Sequence, residues 1–264
     1  FIYVKKERYW TFFFKKEKFY LILSISWHNA DMQNRKPLKK ILCVWLILLL
    51  VAAGVFYFCF GRRQYDTYIM IDPGHGGYDS GAVGADNATY EKDITMKIAY
   101  KVGQQIQSLD PEIGILFTRT DDNVSWPADE TADLLARITM AQEQNADYFL
   151  SIHLNSSTNP EAYGYHSFVR SNDPFSQDVA DRIAANLEKN KYSYDRETVF
   201  TDQTPLMVVD NLSIPSLLFE VGFISNYDEM SQLKNPFVQD QIAKAIASAY
   251  VDTIHDLQEN ETNE

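Results

Sequence analysis

Apolar positions recur along the chain in two periods, and together they lay out most of a fold. Tyr68-Ile69-Met70-Ile71 is a short continuous apolar run broken by Asp72-Pro73-Gly74, the pattern of a buried strand stopped by turn residues. Ile94, Ile98, Val102 and Ile106 fall four apart and predict a helix over 90–109. A strand follows at Ile113–Thr118, then a loop around Trp126-Pro127. Leu134, Ile138 and Ala141 share one face of a helix over about Asp133–Gln144. Tyr148–Ile152 and Tyr165–Val169 predict two further strands. Phe175–Lys189 predicts a helix that buries Val179, Ile183 and Leu187. Ser216–Val221 is a last apolar strand, and Val238, Ile242, Ile246 and Tyr250 mark a closing amphipathic helix. The polar stretch Tyr192–Thr204 predicts a mobile rim, and the acidic residues from Gln258 a frayed tail over 258–264. Alternating helices and continuous apolar strands predict an α/β fold: one domain over 64–257, with a mostly parallel twisted sheet and helices on both faces. No internal repeat or low-complexity tract interrupts it.

A different pattern precedes this domain. Residues 41–60 are twenty in a row without a charge, and a helix of that length rises about 30 Å, the thickness of a bilayer's hydrocarbon core. Arg35, Lys36, Lys39 and Lys40 precede the run, and Arg62 and Arg63 follow it. The heavier basic cluster on the N-terminal side predicts a single-pass anchor in the cell membrane, with the following domain outside the cytoplasm. Val51-Ala52-Ala53 offers the alternative of a signal peptide cleaved to release a secreted domain. The bulky run on to Phe60 favours retention. Residues 1–40 are a basic segment. The chain begins with Phe1, and Met32 opens a conventional basic lead-in, so residues 1–31 are expected to be an over-extended translation start.

Charge sharpens the division. Over the 264 residues the net charge is −12, but residues 1–63 hold 12 Lys/Arg against 3 Asp/Glu, and residues 64–264 hold 12 against 33. The first part is net +9 and the second −21, which argues against a nucleic-acid binder. Cys43 and Cys59 both lie before residue 64, so the acidic domain has no disulfide, cysteine nucleophile or thiolate metal ligand.

In sheets of this kind, ligands gather at the carboxyl ends of the strands. The first strand runs into Asp72-Pro73-Gly74-His75-Gly76-Gly77, the third into Ser151-Ile152-His153-Leu154-Asn155, and the last ends at Phe219-Glu220-Val221-Gly222. Glu91 opens the first helix, facing the same rim. Two imidazoles and a carboxylate, with one position left for water, make a catalytic zinc site. A second carboxylate can take the proton of that water and pass it to a leaving nitrogen. Each residue alone has a plainer interpretation. A strand-end histidine is commonly a hydrogen-bonded structural residue, and Glu91 complements a helix dipole. Glu220 is more telling, because a carboxylate set among Ser-Leu-Leu-Phe and Val-Gly-Phe is costly to bury without a partner. The spacings of 16 and 62 residues match no short metal motif. His166 on the Tyr165–Val169 strand is expected to be structural, and His255 to suit the dipole at the end of the closing helix.

At these residues the sequence resembles the zinc-dependent N-acetylmuramoyl-L-alanine amidases of the amidase type 3 family, from about Tyr68 to Ile254. Asp72-Pro73-Gly74-His75-Gly76-Gly77 resembles the family's opening motif, whose histidine binds zinc. Tyr90-Glu91-Lys92-Asp93 resembles the helix start that supplies the glutamate ligand. Ser151-Ile152-His153-Leu154-Asn155 resembles the segment of the second histidine, and Phe219–Asn226 that of the catalytic glutamate. Thr118-Arg119-Thr120-Asp121 and Leu135-Ala136-Arg137 are lesser matches. The resemblance implies Zn2+ held by His75, Glu91 and His153, Glu220 as proton shuttle, and Asn155 as a substrate contact. It implies hydrolysis of the amide between N-acetylmuramic acid and L-alanine in peptidoglycan; apart from the resemblance, the chain is expected to be monomeric. The 67 residues from His153 to Glu220 leave no room for a long inhibitory insertion. A zinc carboxypeptidase acting on stem peptides and a non-catalytic wall-binding protein are the competing expectations. A short anchored chain without wall-binding repeats resembles the sporulation-type members in layout.

Overall fold

The computed structural model describes residues 2–6, 9–16, 19–26, 42, 44–54 and 64–263. The chain forms two compact units, 1–63 and 64–264. In the first, β1 (Ile2–Lys6), β2 (Tyr9–Lys16) and β3 (Phe19–Ser26) make an antiparallel sheet in the order β1-β2-β3. The sequence gives no clear signal for it, because runs such as Phe12-Phe13-Phe14 mask the two-residue period of a strand. A helix, α1, covers residues 44–54 and exposes its apolar side chains; residue 42 is also helical. The rest of the expected anchor over 41–60 lies outside the described residues. Among those described, no helix is long and apolar enough to cross a membrane.

The second unit holds a six-stranded sheet. Its first half contains β4 (Thr67–Pro73), α2 (Glu91–Leu109), β5 (Ile113–Phe117), α3 (Glu130–Glu143) and β6 (Tyr148–Asn155). Next come β7 (Tyr165–Val169), α4 (Pro174–Lys189), β8 (Asp195–Phe200) and α5 (Met207–Asp210). The unit closes with β9 (Ser216–Phe223), α6 (Tyr227–Leu233) and α7 (Pro236–Asn263). The strand order is β5-β4-β6-β9-β7-β8, parallel throughout except where β7 runs antiparallel to β9. It is therefore a mixed α/β sheet with helices on both faces.

Two differences from the expected elements have clear causes. The supposed mobile rim contains β8, an edge strand whose Asp195, Arg196 and Glu197 are exposed, so it lacks the apolar signature of a buried strand. Helix α7 runs to Asn263, through the tail expected to fray. Val251 and Ile254 extend its buried face, and His255 stands mid-helix, 2.8 Å from Asp110 Oδ2 just past the end of α2.

The faces of the sheet are unequal. Ile69, Ile71, Ile152, Phe219 and Val221 pack under α2, α4 and α7 in the larger core. Met70, Phe149 and Leu218 point the other way, beneath only α3 and the single turn of α5. Because strand side chains alternate, Asp72, His153 and Glu220 continue the lines of Met70, Phe149 and Leu218 onto this thinly covered face. The period of two thus places them together, past the end of the apolar cover.

Asp72, fully buried, anchors the end of β4. It accepts hydrogen bonds from Thr118 (2.5 Å), Ser151 (2.7 Å) and Arg137 (2.6 Å). Arg137 also donates to Asp133 at 2.6 Å, and its guanidinium lies 4.9 Å from the centre of the Trp126 ring. Burial opposes ionisation of Asp72, but Arg137 and the two hydroxyls outweigh it and hold the carboxyl below the usual carboxylate range. The group binds fewer protons folded than unfolded. Its stabilisation is complete above the ordinary carboxylate pKa of about 4 and is lost as pH falls through the lower folded value. Arg137→Ala, which strands Asp72, is expected to cost about 3–5 kcal/mol of unfolding free energy in urea at pH 7. The cost should shrink as the pH is taken below about 4, and a pH-independent difference would contradict the ion pair as its source.

Candidate metal centre

Glu91 is the first residue of α2, where the helix N-terminus favours an anion. Its carboxylate is buried and the two histidines converge on one of its oxygens. His75 Nε2 and His153 Nδ1 each lie 3.0 Å from Glu91 Oε1. Leu154 N–H donates to the same oxygen and Ala82 N–H to Oε2, both at 2.9 Å. The three ligand atoms lie within 4.8 Å of one another. Behind His75, Nδ1–H donates to Asp79 Oδ2 at 2.6 Å, which leaves Nε2 to face the cluster. A carboxylate behind a ligating imidazole is a familiar device for fixing its ring and tautomer.

Electrostatics at the cluster favour a cation. Burial would lower the His75 pKa, but Glu91 and then Asp79 outweigh it and push it up to about 9. Burial would raise that of Glu91, and the hydrogen bonds and charges of His153 and His75 hold it well below the usual range. Two imidazole nitrogens and one carboxylate oxygen, converging at a cleft with an open side, fit a metal of the zinc type.

The turn that carries His75 is strained. His75 has φ 61°, a conformation rare outside glycine, so the surrounding structure must enforce it. Two buried guanidiniums do so. Arg119 donates to the carbonyls of Pro73 (3.0 Å) and Gly74 (2.9 Å), and Arg137 to those of Pro73 (3.1 Å) and His75 (2.9 Å). Two glycines make the close approach possible. A Cβ on Gly74 would stand 2.4 Å from His153 Cε1, and one on Gly81, at φ 63°, would stand 2.6 Å from His75 Cδ2.

Glu220 sits beside this cluster, directly across from His153 in the β6–β9 register. It lines a cleft of about 270 Å³ that also reaches His75, His153 and Arg137. Leu134, Leu206, Met207 and Leu218 form its apolar side. Glu220 Oε2 is buried and has no hydrogen-bond partner. Burial pushes the Glu220 pKa up to about 7; His153 opposes the rise, Glu91 adds to it and His75 opposes it.

The structure therefore brings together His75, Glu91, His153 and Glu220. Asn155 lies past them at the end of β6, bonded to His166 at 2.8 Å. Two features had no distinct signal in the sequence: Asp79 stands behind His75, and His166 pairs with Glu220 across β7 and β9. The Arg119–Arg137 pair, from the two lesser family matches, grips the turn.

A mixed α/β sheet carrying a His–Glu–His donor set at its strand ends, beside a buried unpaired carboxylate, defines a candidate metal-dependent hydrolase. A model of the amidase type 3 family, described as N-acetylmuramoyl-L-alanine amidase, matches residues 69–251, and the chain belongs to this family. Among similar proteins is the germination-specific N-acetylmuramoyl-L-alanine amidase of Bacillus subtilis, 33% identical over 187 residues, which are 67% of this chain and 76% of that one. The CwlD amidase from Clostridioides difficile, solved in complex with the GerS lipoprotein, superposes with a TM-score of 0.65 at 30% identity, covering 72% of this chain and 99% of that one. The catalytic domain of CwlV, an N-acetylmuramoyl-L-alanine amidase from Bacillus (Paenibacillus) polymyxa var. colistinus, gives 0.63 at 28%, covering 72% and 98%.

Gly74→Ala tests the packing beneath the donors. The added methyl must displace the His153 ring, so zinc affinity measured by chelator competition is expected to fall at least about tenfold. Unchanged affinity would show that His153 does not need this contact.

Proposed function

We propose that the protein hydrolyses the amide between N-acetylmuramic acid and L-alanine in bacterial peptidoglycan, with zinc as its metal. The observation that carries this is the convergence of His75, Glu91 and His153 beside Glu220, whose buried Oε2 no protein group satisfies. Family membership supplies the substrate class.

His75, Glu91 and His153 would hold the metal, with Asp79 orienting His75. Zinc bound there supplies a Lewis acid and a water whose pKa is lowered to about 7. Glu220 takes a proton at its free oxygen and delivers it to the departing amide nitrogen, a task suited to a carboxyl raised toward neutrality by burial. Leu134, Leu206 and Met207 keep one side of the cleft dry, which strengthens the charge interactions within it. Asn155, at the end of β6, would contact the substrate, a role supported by its position two residues past His153.

Incubation of the chain with purified peptidoglycan should expose new L-alanine amino termini and leave glycan stripped of peptide. Release of terminal D-alanine instead would point to a carboxypeptidase. Chelation should abolish turnover and added zinc restore it. Glu220→Gln should retain zinc and lose about 10²–10⁴-fold in kcat; near-normal turnover would remove Glu220 from its role.

The uncharged run over 41–60 and the basic residues before it support a membrane anchor with the acidic domain outside the cytoplasm. A domain at net −21 gains nothing from electrostatic attraction to an anionic wall, so the anchor would set its location. Protease added to intact protoplasts should digest the acidic domain while the basic end stays protected; full protection would reverse the topology. The likeness to a germination-specific amidase supports a place in the spore cycle, and spores of a deletion strain that germinate normally would count against it.

A further inference from the structure

The Asn155–His166 contact spans the sheet in an unusual way. Asn155 belongs to β6 and His166 to β7, and β9 lies between them. Strands two apart in a sheet are separated by about 10 Å, so a bond between their side chains must pass over the intervening strand. It passes on the face that carries the metal ligands. His153, Glu220 and His166 are successive register partners across β6, β9 and β7, and cross-strand partners point to the same face. At this point the β6–β9 register slips, so that Asn155 pairs with Phe223, three residues past Glu220 although only two past His153. Irregularities of this kind re-aim side chains next to active sites. The outcome is a polar bridge across β9 at the edge of Glu220.

The hydrogen-bonding pattern fixes what the bridge offers. Ser156 N–H donates to Asn155 Oδ1 at 2.7 Å, which orients the amide so that its Nδ2 faces His166. Asn155 Nδ2 then donates to His166 Nε2 at 2.8 Å, leaving the imidazole proton on Nδ1. Neither Nδ1–H nor the second amide hydrogen of Asn155 has a partner among the described residues. Burial, then the charge of Arg196, keeps the His166 pKa below its ordinary value despite Asp195, so the ring is neutral near pH 7. The bridge therefore presents neutral donors and no free acceptor. An amide carbonyl accepts from these donors without adding charge beside Glu220, the register partner of His166.

We propose that the Asn155–His166 bridge, which borders the cleft on the same face of the sheet rather than lining it, is a recognition wall beside the metal centre, and that His166 donates from Nδ1 to a carbonyl oxygen of the stem peptide next to the scissile amide. This rests on the amidase function proposed above. Such a contact forms equally in the ground and transition states, so it sets KM rather than kcat.

The test is steady-state kinetics of the full chain, zinc-loaded, on N-acetylmuramoyl-L-alanyl-D-isoglutamine. His166→Phe should raise KM about tenfold, the loss of one neutral hydrogen bond, with kcat within about twofold. His166→Gln, which keeps an N–H donor, should recover most of that loss. Zinc affinity should be unchanged in both. A wild-type KM in His166→Phe, or a fall in kcat alone, overturns the proposal. Should thermal unfolding show that His166→Phe is misfolded, Asn155→Ala decides by the same rise in KM, and its absence overturns the wall. If the wild-type chain cleaves no muramoyl amide, the proposed activity itself fails. Cleavage with KM unmoved by either substitution removes only the wall.

Discussion

A buried ion pair at the end of β4 holds the turn that carries His75 in place. Asp72 ends the line of core residues on β4 and binds Arg137, which grips the carbonyls of Pro73 and His75. Arg119 takes those of Pro73 and Gly74. The turn is held in a conformation His75 would not otherwise adopt, with the ring aimed at Glu91. Two guanidiniums out of water are costly, and the cost is met because each reaches several oxygens at good distance. The chain here stabilises geometry at the expense of the simplest core.

Two carboxylates at the metal centre receive opposite treatment. Glu91 is satisfied on both oxygens by two backbone N–H groups and two imidazoles. Glu220, one strand over from His153, keeps an oxygen without a partner. A group so placed stays near the balance between its charged and neutral forms. One carboxylate is built to stay an anion and the other to exchange a proton. That division is the physical core of the proposed chemistry, and it comes from hydrogen-bond supply rather than residue type.

Much of this was legible in the sequence, and the failures are specific. Strands ending at Asp72, His153 and Glu220 showed as apolar runs, and the four-residue spacing of Ile94, Ile98, Val102 and Ile106 showed as a helix that is buried where expected. Strand β8 did not show, because an edge strand exposing Asp195, Arg196 and Glu197 has no apolar period to detect. The strands over 2–26 escaped for the opposite reason, their aromatic residues coming in blocks. His166, expected to be structural, bonds Asn155 across the sheet, but one histidine in a strand carries no sign of which neighbours it meets.

By itself the sequence determined most elements of the acidic domain, their buried faces and the donors at strand ends, because these follow from periods of two and 3.6 and from turn residues nearby in the chain. Only the tertiary structure decided which donors meet. Strand order put β9 between β6 and β7, and so placed Glu220 between His153 and His166, residues 67 and 54 positions away along the chain. It also decided which carboxylate would be left unsatisfied. Pairing between distant strands is settled by the packing of the whole sheet, and no local pattern encodes it.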